Sequence, residues 1–90
     1  MSRNYNNKKL LAIDFGTKRI GLAVSRGPLA VPLQVIHYQE ETEAIRRIAE
    51  ICSQQQTTQV ILGLSEKETA RKTRQFGRRL QLKISQPVIY

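Results

Sequence analysis

The sequence holds one cysteine, one histidine, one aspartate and no tryptophan among its ninety residues. A lone Cys52 cannot close an intramolecular disulfide, and no Cys/His group has metal-ligand spacing, which excludes a zinc module and fits a reducing compartment. Aromatic side chains are few, and Tyr5, Tyr38 and Tyr90 are too scattered to form a base-stacking platform of the kind single-strand binders use. No run approaches the ~18 apolar residues that a bilayer span needs, and the polar start from Met1 to Lys9 lacks the apolar stretch of a secretion signal. A cytoplasmic location with no membrane contact is expected. Acidic side chains are scarce too: seven Asp and Glu stand against fifteen Lys and Arg, a formal charge of +8. A field of that sign attracts polyanions before any specific contact forms, so nucleic acid is the first partner to consider. A basic, soluble, ribosome-associated domain is the competing reading.

Ninety residues allow one domain, burying roughly 60–65% of the surface that its unfolded chain exposes. Residues 1–7 offer almost nothing to bury and read as a disordered arm ahead of a single domain over 8–90. Leu10 to Ile13 forms an apolar run, Phe15-Gly16-Thr17-Lys18 a turn, and Ile20 to Val24 a second run: a β-hairpin. Gly27-Pro28 breaks the second strand, Pro32 bars a helix, and Leu33 to Tyr38 is β-rich enough for a third strand. From Glu40 the period changes. Ile45, Ile48, Ala49 and Cys52 mark a helix with Glu40, Glu41 and Glu43 near its start, where the dipole favours acids.

Val60 to Leu64 reads as a strand buried on both faces. Ser65 and Glu68 stand at capping-box spacing before a second helix with Ala70, Thr73, Gly77 and Leu80 as its buried stripe. Pro87 to Tyr90 opens a last strand. The expected class is α/β, a mixed sheet of about five strands: three antiparallel, then helix, strand, helix, strand. Two right-handed crossovers stepping the same way place both helices on one face and leave the other bare. An apolar bare face invites association, so a further C-terminal helix or a partner chain is expected to cover it.

Asp14 ends an apolar strand just before a turn, close in sequence to Gly16, Thr17, Lys18 and Arg19. A carboxylate so placed at a sheet rim can hold a divalent cation or orient a phosphate. The plainer alternative is an Asx hydrogen bond that caps the turn. Arg19 has two readings as well, a phosphate contact or an ion pair with Asp14 that braces the hairpin. Arg71, Lys72, Arg74, Arg78 and Arg79 on the second helix could track a phosphate backbone, or form a solvated face suited to the helix dipole. His37 has no catalytic partner in sequence reach and is assigned no role.

The unbroken stretch Leu11-Ala12-Ile13-Asp14-Phe15-Gly16-Thr17-Lys18-Arg19-Ile20-Gly21-Leu22-Ala23-Val24-Ser25 resembles the opening motif of the YqgF family, pre-16S rRNA nucleases related to Holliday-junction resolvases. The resemblance continues through Val60 to Leu64, Thr69 to Leu80 and Pro87 to Tyr90. It implies a ribonuclease-H-like fold and metal-dependent endonuclease action, with Mg²⁺ or Mn²⁺ as cofactor and structured RNA or branched DNA as substrate. Asp14 matches the first member of the family's acidic triad and is the catalytic and metal-binding candidate. Gly16, Thr17, Lys18 and Arg19 are the nucleic-acid-binding candidates. The other two acids of the family fall beyond the position matching Tyr90, so this chain is expected to be the N-terminal two-thirds or so of the domain, without a complete catalytic set.

Departures from the family pattern are a Gly63-Leu64-Ser65 turn where members carry Gly-Leu-Pro, and a missing polar loop after it, so that Ser65 caps the helix at once. Association with ribosome precursors follows from the rRNA reading. Symmetric junction resolution would favour a homodimer, while RNA trimming would not require one. Two alternatives stand beside the nuclease: a catalytically inactive nucleic-acid-binding or ribosome-associated domain, and a nucleotide-phosphate loop of the actin-like ATPase kind.

Overall fold

The computed structural model describes residues 8–63 and 69–90. The expected arm over 1–7 and the Ser65/Glu68 capping box lie outside the described residues. The elements run β1 (Leu10–Asp14), β2 (Arg19–Arg26), β3 (Leu29–His37), α1 (Glu41–Gln55), β4 (Gln59–Gly63), α2 (Ala70–Gln81) and β5 (Val88–Ile89). They build one five-stranded sheet in the order β3-β2-β1-β4-β5. β1, β2 and β3 pair antiparallel, while β4 lies parallel to both β1 and β5.

Register puts the apolar alternation on one face. Ile13 pairs with Leu22 and Leu62, Leu11 with Val60, and Ile20 with Ile36. All seven are buried, in one cluster with Ala44, Ile45, Ile48, Ile51 and Cys52 of α1 and Phe76 and Leu80 of α2. Both helices therefore cover the same face, as two right-handed crossovers stepping the same way require. The opposite face carries Leu10, Ala12, Asp14, Gly21, Ala23, Ile61 and Gly63, none of them fully buried. Ile61 keeps β4 from being buried on both sides.

Three local expectations are corrected. β3 begins at Leu29 rather than Leu33, and it contains Pro32. It is an edge strand, so the missing N–H breaks no essential ladder, and a register shift at Leu22/Ala23 leaves Leu33 as an extra residue beside that proline. The two-residue loop before it places Gly27 at φ 72°, open only to a residue without a Cβ penalty. α2 starts at Ala70, with Thr69 as its cap: the Thr69 hydroxyl accepts from the Lys72 N–H at 3.1 Å. Its buried stripe is Thr73, Phe76, Gly77 and Leu80, and Ala70 is exposed. On α1, Ala44 and Ile51 are buried while Ala49 is half-buried. A Cβ on Gly77 would overlap Leu62 and the Tyr90 ring, so this glycine lets α2 lie close on the sheet.

Candidate functional site

Asp14 is the last residue of β1, and the period of two that buries Ile13 turns the Asp14 side chain to the bare face. It is paired with Gly21 on β2 and Gly63 on β4. The carboxylate thus has a neighbour without a side chain on each flank. It is exposed, and among the described residues it makes no hydrogen bond and no ion pair. In front of it lies an open depression of about 530 Å³, lined by Asp14, Ala12, Gly21, Ala23, Ile61 and Gly63 with residues of β3.

The turn after Asp14 is held by other means than an Asx bond. Phe15 points into the core, where its ring stacks on Phe76 of α2 with centroids 4.4 Å apart. The Tyr38 hydroxyl donates to the Gly16 carbonyl at 2.6 Å, and the Tyr38 N–H donates to the Lys18 carbonyl at 3.1 Å. A Cβ on Gly16 would stand 2.5 Å from the Arg19 carbonyl oxygen, so only glycine passes there without a backbone shift. The ladder fixes the chain up to Asp14 and the buried Phe15 fixes it just beyond. The carboxylate is left with its own rotamers alone.

The other candidates divide between two sides of the rim. Thr17, Lys18 and Arg19 are exposed and Gly16 is half-buried. Thr17 and Lys18 line a depression with His37, Glu40 and Glu43 at the start of α1, separate from the one at Asp14. Arg19 pairs with His37 in the β2/β3 ladder, two residues before Gly21 and hence on its face. It forms no ion pair with Asp14 among the described residues, so that brace is absent. Arg71, Lys72, Arg74, Arg78 and Arg79 are all exposed, and Arg79 is held by Glu41 at 2.8 Å.

Among the described residues no three His, Cys, Asp or Glu side chains come together as a metal cluster. A protein cage for a divalent ion is therefore not what this rim offers. One free carboxylate fits the other mode, in which Mg²⁺ keeps several waters and is shared between one or two carboxylates and a substrate phosphate. Sequence reasoning passed over Gly21, Gly63, Tyr38 and Phe76. The signal for the first two was available: glycine inside a strand marks a bulge, a bend or a close approach. Tyr38 and Phe76 act through contacts distant in sequence, for which no local pattern exists.

A family model described as "RuvX: Holliday junction resolvase" matches residues 8–90. Curated relatives named "Putative pre-16S rRNA nuclease" include one from Fusobacterium nucleatum, 35% identical over 86% of this chain and 61% of its own length. A second, from Nitrosomonas europaea, is 36% identical over 88% of this chain and 59% of its own. The chain thus spans less than two thirds of the length of these relatives. Among solved structures, T. thermophilus RuvC in complex with a Holliday junction substrate superposes with a TM-score of 0.62 at 19% identity, covering 92% of this chain and 64% of that one. A Bacteroides thetaiotaomicron protein with an actin-like ATPase fold gives 0.59 at 17% identity, over 94% of this chain and 33% of that one. At such identities the structural likenesses speak for the fold, a ribonuclease-H-like α/β sheet.

Proposed function

The chain belongs to the RuvX family of Holliday junction resolvases, and from that premise we propose that residues 8–90 form the substrate-facing core of a nuclease that hydrolyses phosphodiester bonds in structured RNA or branched DNA. The observation that carries the proposal is the exposed Asp14 carboxylate, unpaired among the described residues, at the end of the central strand and facing an open depression. Asp14 would hold Mg²⁺ or Mn²⁺, which when bound neutralises charge on a phosphate oxygen. Arg19, on the same face, supplies a cation for a neighbouring phosphate, with Gly16, Thr17 and Lys18 forming the rim of the turn. The net charge of +8 draws the polyanion in.

The names of the relatives support ribosomal RNA precursors as substrate, and the family description supports four-way DNA junctions. On the rRNA reading the protein would act in the cytoplasm, beside assembling ribosomal subunits. Among the described residues no helix is long and apolar enough to cross a membrane. Symmetric cutting of a junction would call for two copies acting together.

A second reading, a binding domain without catalysis, is favoured by one observation: among the described residues, Asp14 is the one acid lining its depression. One experiment separates the two. Mg²⁺- or Mn²⁺-dependent cleavage of a stem-loop RNA and a four-way DNA junction is measured for this chain and for the protein read to its natural stop codon, each with Asp14→Asn. Cleavage by either form that Asp14→Asn abolishes establishes the nuclease. Absence of cleavage in both forms, with binding that weakens steeply as salt rises, establishes the binding domain.

A further inference from the structure

Three glycines surround Asp14, and the fold needs only one of them. Gly16 is obligatory, because a Cβ there meets the Arg19 carbonyl oxygen at 2.5 Å. Gly21 and Gly63 differ. Among the described residues, Gly27 is the sole glycine with a left-handed φ, so neither Gly21 nor Gly63 is required by its backbone conformation. A Cβ on Gly21 would find Asp14 Cβ at 3.8 Å, and one on Gly63 would find the Ile13 carbonyl oxygen at 3.5 Å, both ordinary van der Waals contacts. The register shift in β3 does not call for Gly21 either, since Gly21 pairs in step with Val35 and the extra residue lies on β3.

A glycine inside a strand weakens it, through backbone entropy and the lack of a side chain to pack. Two such positions, one on each side of the Asp14 carboxylate, leave a trough across three strands. With neighbouring strands about 4.8 Å apart, it runs roughly 9–10 Å from the Gly21 backbone to the Gly63 backbone. One row back, small residues continue it on the β2 side, where Ala12 pairs with Ala23, while Ile61 closes it on β4.

We propose that Gly21 and Gly63 are clearance residues, which leave the trough bare so that a sugar-phosphate backbone can lie across the strands and bring one phosphodiester against Asp14. The inference rests on the nuclease reading of Asp14. It adds the direction in which the nucleic acid crosses the sheet, and two residues that set how bulky a chain can reach the carboxylate.

The test uses the protein read to its natural stop codon, with Gly21→Ala, Gly21→Val, Gly63→Ala and Gly63→Val. Gln59→Val serves as control; it adds a branched side chain at the far end of β4 on the same face, opposite Leu10. Thermal unfolding is read alongside binding of a labelled four-way DNA junction and a stem-loop RNA in EDTA, and cleavage in Mg²⁺. The expected result is an unchanged or raised melting temperature in every variant, with binding and cleavage falling in the order Gly, Ala, Val. Each valine should cost about tenfold or more, the scale by which a small apolar group discriminates in a fitted site. Gln59→Val should behave as the parent.

Two results overturn the proposal while the nuclease reading stands: full binding and cleavage in the valine variants, or a fall in melting temperature that accounts for the lost activity. If Asp14→Asn cleaves as well as the parent, the nuclease reading itself fails and the clearance role goes with it.

Discussion

Phe15 and Phe76 stack 4.4 Å apart at an interplanar angle of 22°, joining the residue after Asp14 to the middle of α2. Phe76 is fully buried and Phe15 nearly so. The contact couples the rim of the sheet to the helix packed beneath it. Truncating Phe76 to Ala should cost about 3–5 kcal/mol, a large part of the stability of a domain this small. Phe76→Leu should lose less. Urea unfolding followed by circular dichroism measures both, and equal losses for Ala and Leu would contradict the stacking role.

The Tyr38 hydroxyl bond to the Gly16 carbonyl predicts a more local effect. Tyr38→Phe keeps the ring and deletes the donor, with an expected loss of about 1 kcal/mol. Hydrogen exchange at the Tyr38 amide, bonded to the Lys18 carbonyl, should speed up while the central strands keep their protection. Uniform acceleration across the sheet would mean that Tyr38 supports the whole core rather than the turn.

The glycines give opposite expectations for stability. Gly16→Ala must displace backbone and should cost about 1–3 kcal/mol. Gly21→Ala meets only ordinary contacts and should be neutral or slightly stabilising, since alanine has less backbone freedom to lose on folding. Their melting temperatures, compared in one buffer, should fall on opposite sides of the parent or nearly so.

Burial pushes the Cys52 thiol up from its ordinary value, with the neighbouring Thr57 side chain acting weakly the other way. A raised folded value means that the unfolded chain releases this proton first. The contribution of the neutral thiol to stability is therefore complete below the ordinary thiol range and is lost as pH rises through that range toward the folded value. Stability should decline as pH rises through about 8.5, where an unperturbed thiol is half ionised. Cys52→Ala should flatten that decline, as denaturant midpoints at pH 7, 8.5 and 9.5 would reveal. An equal slope in both proteins would place its origin elsewhere.

Much of the architecture was legible in the chain, because it rests on rules that act locally or on chain order. The period of two in Leu10–Asp14, the change to a helical period after Glu40 and the apolar run at Val60 each set the element they belong to. The handedness of crossovers then puts both helices on one face. Asp14 at a strand end next to a glycine turn identified the rim.

What tertiary structure alone decided depends on partners remote in sequence. Pro32 sits within β3 because that strand lies at the sheet edge, a fact of strand order and not of local composition. Thr69 caps α2, and Phe76 rather than Ala70 is buried, because the position of the helix over Phe15 and Leu62 selects its buried face. Lys18 lines the depression at the start of α1 and not the one at Asp14, though only three residues separate it from Asp14. Above all, the row Gly21-Asp14-Gly63 exists only through register. Its three members come from three strands, and hydrogen-bond pairing across the sheet brings them side by side, where no periodicity along the chain could.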